Sequence, residues 1–241
     1  MKRADFDGSI RNAGAALAAI DLLAEFSCQV SLPRSEDFNK VCLTSKSYSQ
    51  IYEKGLSLSH YNIRLKDLAY FQFSHQDDEE FALAFYPNPR VTGSLGALSE
   101  YLELEEMRDN NEIDEEEFHA YAEAMPVEHF VPRVRFEYSK SQFKRVIHPG
   151  AHFHIGMSGE DRWSSARKIS PLSFVYLMLK YYYPNSWRSK SRFYGAEDMW
   201  KDAVTIAGCW DEVLARSLIN DGASHYFNDD EKRNFHFSSN Y

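Results

Sequence analysis

The chain is short of cysteine, of long apolar runs and of net positive charge, and each shortage removes a class of explanation. Cys28, Cys42 and Cys209 are far apart and form no CxxC pair, so neither a disulfide framework nor a zinc ribbon is available. That usage fits a reducing compartment, and a cytoplasmic location is expected. No uninterrupted apolar stretch approaches the roughly 18 residues that suggest a membrane span. The alanine-rich segment near the N-terminus is broken by Asp21 and Glu25, unlike a signal peptide. A soluble chain with no membrane partner is expected. Known catalytic signatures are missing too: no HExxH, Walker A loop or GxSxG elbow is present, and nothing in the sequence names a cofactor.

The net charge of −9 usually argues against nucleic acid, but its distribution matters more than its sum. Residues 100–117 hold ten acidic residues and one basic, Arg108. Taking that stretch from the 27 basic and 36 acidic residues of the chain leaves 26 of each. The remainder is neutral overall and locally basic, with Arg133, Arg135, Lys140, Lys144, Arg145, Arg162, Arg167 and Lys168 around one histidine-rich stretch. An anionic ligand is allowed there. Seventeen Phe, fifteen Tyr and four Trp fit an aromatic core better than a base-stacking surface, because most lie on apolar periodicities.

Periodicity gives an α+β protein, an antiparallel sheet packed against several helices and read as a single domain over 1–241. Residues 9–26 carry apolar side chains at helical spacing. A second helix is expected around 47–54, ended by Gly55. Residues 64–73 and 80–86 read as a hairpin turning at 75–78. The acidic segments 98–108 and 115–125, with Asp114 as N-cap, read as a helical pair suited to insertion or to a basic protein partner. Calcium is disfavoured, since the ordered spacing of an EF-hand loop is missing. Ser170-Pro171 opens an apolar helix that stops at Pro184, and residues 197–218 read as one or two further helices.

Three of the nine histidines fall within HPGAHFHIG, residues 148–156. Period-two alternation places Ala151, Phe153 and Ile155 on one side of a strand and His152 and His154 on the other. In residues 131–139, Val134, Phe136 and Tyr138 alternate with Arg133, Arg135 and Glu137. Pairing the apolar faces gathers Arg135, Glu137, His152 and His154 on the opposite face. Three chemistries can use such a cluster. His152 and His154 could act as general acid and base on a phosphodiester, with Glu137 orienting, His148 assisting, and Arg135, Arg162 and Arg167 holding the phosphate. Alternatively His152 and His154 could grip a metal, with Glu137 or His148 completing the set. Anion binding without turnover is the third. Lack of a clear third and fourth ligand favours the metal-free reading. His60, His75, His119, His129, His225 and His236 read as structural.

The run RFEY at 135–138, then HPGAHFHIG, a loop arginine, and Ile169-Ser170-Pro171 before a helix ending at Tyr183-Pro184 resembles a bacterial family of uncharacterised proteins, domain of unknown function 2290. The resemblance spans about residues 131–184. The family's first motif is closer to RFDYD, so Glu137 and Tyr138-Ser139 depart from it. It implies no activity. A looser similarity to small bacterial toxins suspected of cutting RNA implies an RNase-like toxin or defence protein. RNA or another phosphate-bearing ligand is then the expected partner, with a non-catalytic accessory role and a metal enzyme as alternatives.

Overall fold

Alternation along the aromatic strands decides the architecture. The computed structural model describes residues 1–45, 47–90, 95–125, 133–144, 147–157, 161–188, 190, 210 and 214. Its elements run α1 (Arg3–Ala18), β1 (Leu23–Phe26), α2 (Glu36–Thr44), α3 (Tyr48–Ser57), β2 (Ile63–Leu65), β3 (Tyr70–Asp77) and β4 (Glu80–Tyr86). They continue as α4 (Leu95–Asp109), α5 (Glu115–Ala124), β5 (Val134–Ser139), β6 (Ala151–Ile155), β7 (Trp163–Ser164), α6 (Pro171–Tyr182) and α7 (Pro184–Arg188). The seven strands form one sheet in the order β1 to β7, every neighbouring pair antiparallel. The fold is α+β.

Each face of the sheet has its own cover. Phe71, Phe73, Phe81, Leu83, Phe85, Val134 and Phe136 point toward α1 and α6, meeting Phe6, Ile10, Leu17, Phe174, Val175 and Leu179 in the main core. Burying side chains of this size contributes roughly 1.5–3 kcal/mol each. The opposite face offers Tyr70, Ala84 and Tyr86 to Phe38 of α2 and to Tyr48, Ile51 and Tyr52 of α3. The acidic hairpin α4–α5 has a small cluster of its own, Tyr101, Ile113, Phe118, Ala122 and Met125, seated on Leu68. A capping box at Asp114 and Glu117 starts α5 as the sequence suggests.

Several boundaries differ from the sequence reading, each for a local reason. The first helix stops at Ala18, and Leu23–Phe26 is a strand, because Asp21 takes a left-handed φ of 60° that no helix tolerates. Leu68, with φ 65°, divides the first half of the expected hairpin into β2 and β3. The turn between β3 and β4 is Asp78-Glu79, with His75 still in the strand and 6 % exposed. Gly55 is no cap. It lies within α3, where a Cβ would stand 2.1 Å from the Tyr70 hydroxyl, so the residue is set by close approach. Ser170 accepts from the Ser173 amide and starts α6 as expected. Residues 197–209, and His129, His225 and His236, lie outside the described residues.

Candidate metal centre

The register of β5 and β6 builds the site. Arg135 stands opposite His154 and Glu137 opposite His152, so four polar side chains share the face that α2 and α3 cover further along. On the β4 side, Ala82 is opposite Glu137 and Ala84 opposite Arg135. These alanines leave the longer side chains room to lie on the sheet. The alternation of EFALAFY carried that signal, and the sequence reading overlooked it.

The polar face is not the half-exposed surface that alternation suggests. The His152 side chain is fully buried and that of His154 nearly so, while Glu137 keeps 29 % exposure. The two imidazoles meet through their Nε2 atoms at 3.0 Å. Glu137 Oε2 lies 3.7 Å from His152 Nε2 and 3.6 Å from His154 Nε2. Arg135 pairs with the other carboxylate oxygen.

One backbone group fixes the protonation pattern. His152 Nδ1 lies 3.0 Å from the carbonyl oxygen of Pro149. A carbonyl only accepts, so Nδ1 carries the proton and donates, and Nε2 presents a lone pair to the cluster. Such an outer partner commonly orients a metal-binding imidazole. Sequence reasoning missed Pro149; the nearest signal was the Pro-Gly turn immediately before the strand.

Burial pushes His152 down to about 4 against the pull of Glu137, so it is neutral at pH 7. Burial alone would raise Glu137, but the His154 hydrogen bond, the Arg135 guanidinium and the two imidazoles hold it down to about 2. A carboxylate and a neutral imidazole are the forms a cation needs.

The other expected residues take varied places. His148 is held in its turn by reciprocal backbone hydrogen bonds with Lys144, and its ring centroid lies 5.0 Å from that of His152. Burial and the Arg162 charge lower its pKa. Arg167 is fixed through its backbone on Ser165. Arg133 donates to the Gly156 carbonyl and sits beside Cys42 of α2. Among the described residues, Glu137, His152 and His154 are the one group of three or more potential ligands whose donor atoms converge, all within 4.8 Å of one another.

No described helix is long and apolar enough to cross a membrane. No curated protein and no solved structure matches the chain. A family model described as an uncharacterised conserved protein matches residues 19–239, nearly the whole chain including both halves of the site, and the chain therefore belongs to the DUF2290 family.

Proposed function

We propose that Glu137, His152 and His154 hold a divalent metal ion and that the protein uses it to hydrolyse a phosphodiester, with RNA the simplest substrate. One observation carries the metal. A triangle with edges of 3.0, 3.6 and 3.7 Å has a common point about 2.0 Å from all three donor atoms, the ordinary zinc–nitrogen and zinc–oxygen distance. The orientation of His152 by Pro149 adds to it. Two histidines and one carboxylate leave a coordination position open, as catalytic zinc and non-haem iron centres do.

The same contact weighs against direct acid–base work by the two histidines. Their Nε2 atoms face each other at hydrogen-bond distance within a buried layer, so no substrate oxygen fits between them. A bound metal supplies a water acidic enough to attack at neutral pH. Glu137, the most exposed of the three, marks the open side. Arg135 fixes its carboxylate, and Arg162, whose charge acts on His148, suits a phosphate.

The test begins with protein purified without an affinity tag, analysed for metal and then titrated with zinc, manganese and iron(II) after chelation. One equivalent is expected, with cobalt(II) giving the absorption of a tetrahedral site. The double variant His152→Ala, His154→Ala is expected to fold, bind none and cleave no RNA. Equal metal binding by that variant overturns the centre; metal binding without cleavage of any phosphodiester overturns the substrate.

A second reading concerns partners. Glu115, Glu116 and Glu117 are exposed on the first turn of α5 and suit a basic protein surface. Charge reversal at all three is expected to abolish co-purification of such a partner, and a persisting complex refutes it.

A further inference from the structure

A recess that shares no residue with the metal centre lies between α3, β2, α4 and α5. Its volume is about 240 Å³, room for roughly eight waters at about 30 Å³ each. Tyr61, Tyr101 and Phe118 supply aromatic wall, Glu53, Glu105 and Glu115 supply carboxylates, and Arg64, Arg108 and His119 line it too.

Nearly every charged group there already has a partner. Arg64 Nε reaches Glu25 at 3.2 Å, and Arg108 donates to Asp109 from both Nε and Nη2. Glu53 accepts from Arg90 at 2.8 Å. His119 lies 3.4 Å from both Glu53 and Glu115. Glu105 differs: it is half-buried, faces the recess and makes no hydrogen bond among the described residues. The two arginines act on it only through their charge, and burial raises its pKa despite them. With outside partners counted, Glu25 and Asp109 offset the two arginines and Arg90 offsets Glu53, which leaves Glu105 and Glu115 beside His119 and the local balance negative.

We propose that this recess is a binding site for a small organic amine, with Glu105 as the counter-ion and Tyr61 and Tyr101 as the apolar wall. An ammonium group gives Glu105 the donor it lacks among the described residues, and its methylenes displace water from aromatic surface. The size suits a short alkyl diamine. Nothing in the metal reading enters this assignment, and the two fail separately.

The experiment uses the full chain in EDTA, which silences any metal centre, with putrescine as probe and sodium chloride at matched ionic strength as control. Calorimetry is expected to show saturable binding of one equivalent, with a rise in Tm that salt does not reproduce. Glu105→Gln is expected to weaken binding at least tenfold without lowering the Tm of the unliganded protein. Arg108→Gln, which removes a competing cation and keeps Glu105, is expected to tighten binding several-fold, and this arm stands if the first variant folds poorly. Absence of saturable binding, or affinity unchanged in either variant, overturns the proposal.

Discussion

Glu137→Gln separates the electrostatic work of the site from its shape. Glutamine keeps the size and one acceptor oxygen but cannot carry charge. The fall of the Glu137 pKa from 4.5 to about 2 corresponds, at 1.36 kcal/mol per unit, to about 3 kcal/mol of interaction favouring the ionised folded form. Imperfect replacement of hydrogen bonds by the amide leaves an expected loss of about 1–3 kcal/mol at pH 7. A depressed carboxylate contributes stability that is present above its unfolded pKa and is lost as pH falls through the folded one. The wild-type advantage is therefore full above about pH 5 and fades toward pH 2. Urea unfolding followed by circular dichroism in EDTA, at pH 7, 5 and 3, measures it directly. For a chain of this length the neutral-pH deficit shifts Tm by about 2–4 °C per kcal/mol. Parallel pH curves for the two proteins, offset or superimposed, refute the reasoning, because they show that the Glu137 charge is not what Arg135 and the imidazoles stabilise.

Three further outcomes follow from the same coordinates. Zinc at a hundredfold excess over its Kd stabilises the folded chain by about 2.7 kcal/mol, which differential scanning fluorimetry should register in the wild type and not in His154→Ala. Gly55→Ala gains about 1 kcal/mol of helix propensity, yet its Cβ meets the buried Tyr70 hydroxyl at 2.1 Å; overpacking of this kind costs about 1–3 kcal/mol, so chemical denaturation should show net destabilisation. Asp67 is raised by burial, despite a 2.7 Å hydrogen bond from Tyr183; the folded state holds its proton longer than the unfolded chain does, so a penalty builds as pH rises from the unfolded value of 3.8 through the raised folded one. Denaturation midpoints of Asp67→Asn should accordingly gain on the wild type across that interval, and a constant difference counts against it.

The sheet face that carries the site was legible because strand alternation is a strict geometric rule. Arg135, Glu137, His152 and His154 fall together once β5 and β6 pair, and they do so in direct register. Their burial was not legible. It depends on contacts that alternation does not encode, among them the turn that brings the Pro149 carbonyl to His152. The contact between the two Nε2 atoms is likewise a matter of side-chain torsion rather than of spacing. Element limits failed where single residues take left-handed backbone, the first helix at Asp21 and the first hairpin strand at Leu68. Gly55 misled because a glycine that ends a helix and one that admits a tyrosine look the same in one dimension.

The strict chain order of the seven strands has a consequence in time. Each strand pairs with the one made just before it, so a growing chain can add strands as they are synthesised, and the β5–β6 hairpin needs nothing downstream to bring Glu137 beside His152. The helical cover of the main core is different. α1 is made before all seven strands and α6 after them, yet they pack on one another, and the Leu172 amide donates to Ser9 across 163 residues. During synthesis the aromatic face between them stays open until α6 arrives, and it is there, more than at the polar cluster, that a nascent chain is vulnerable to aggregation.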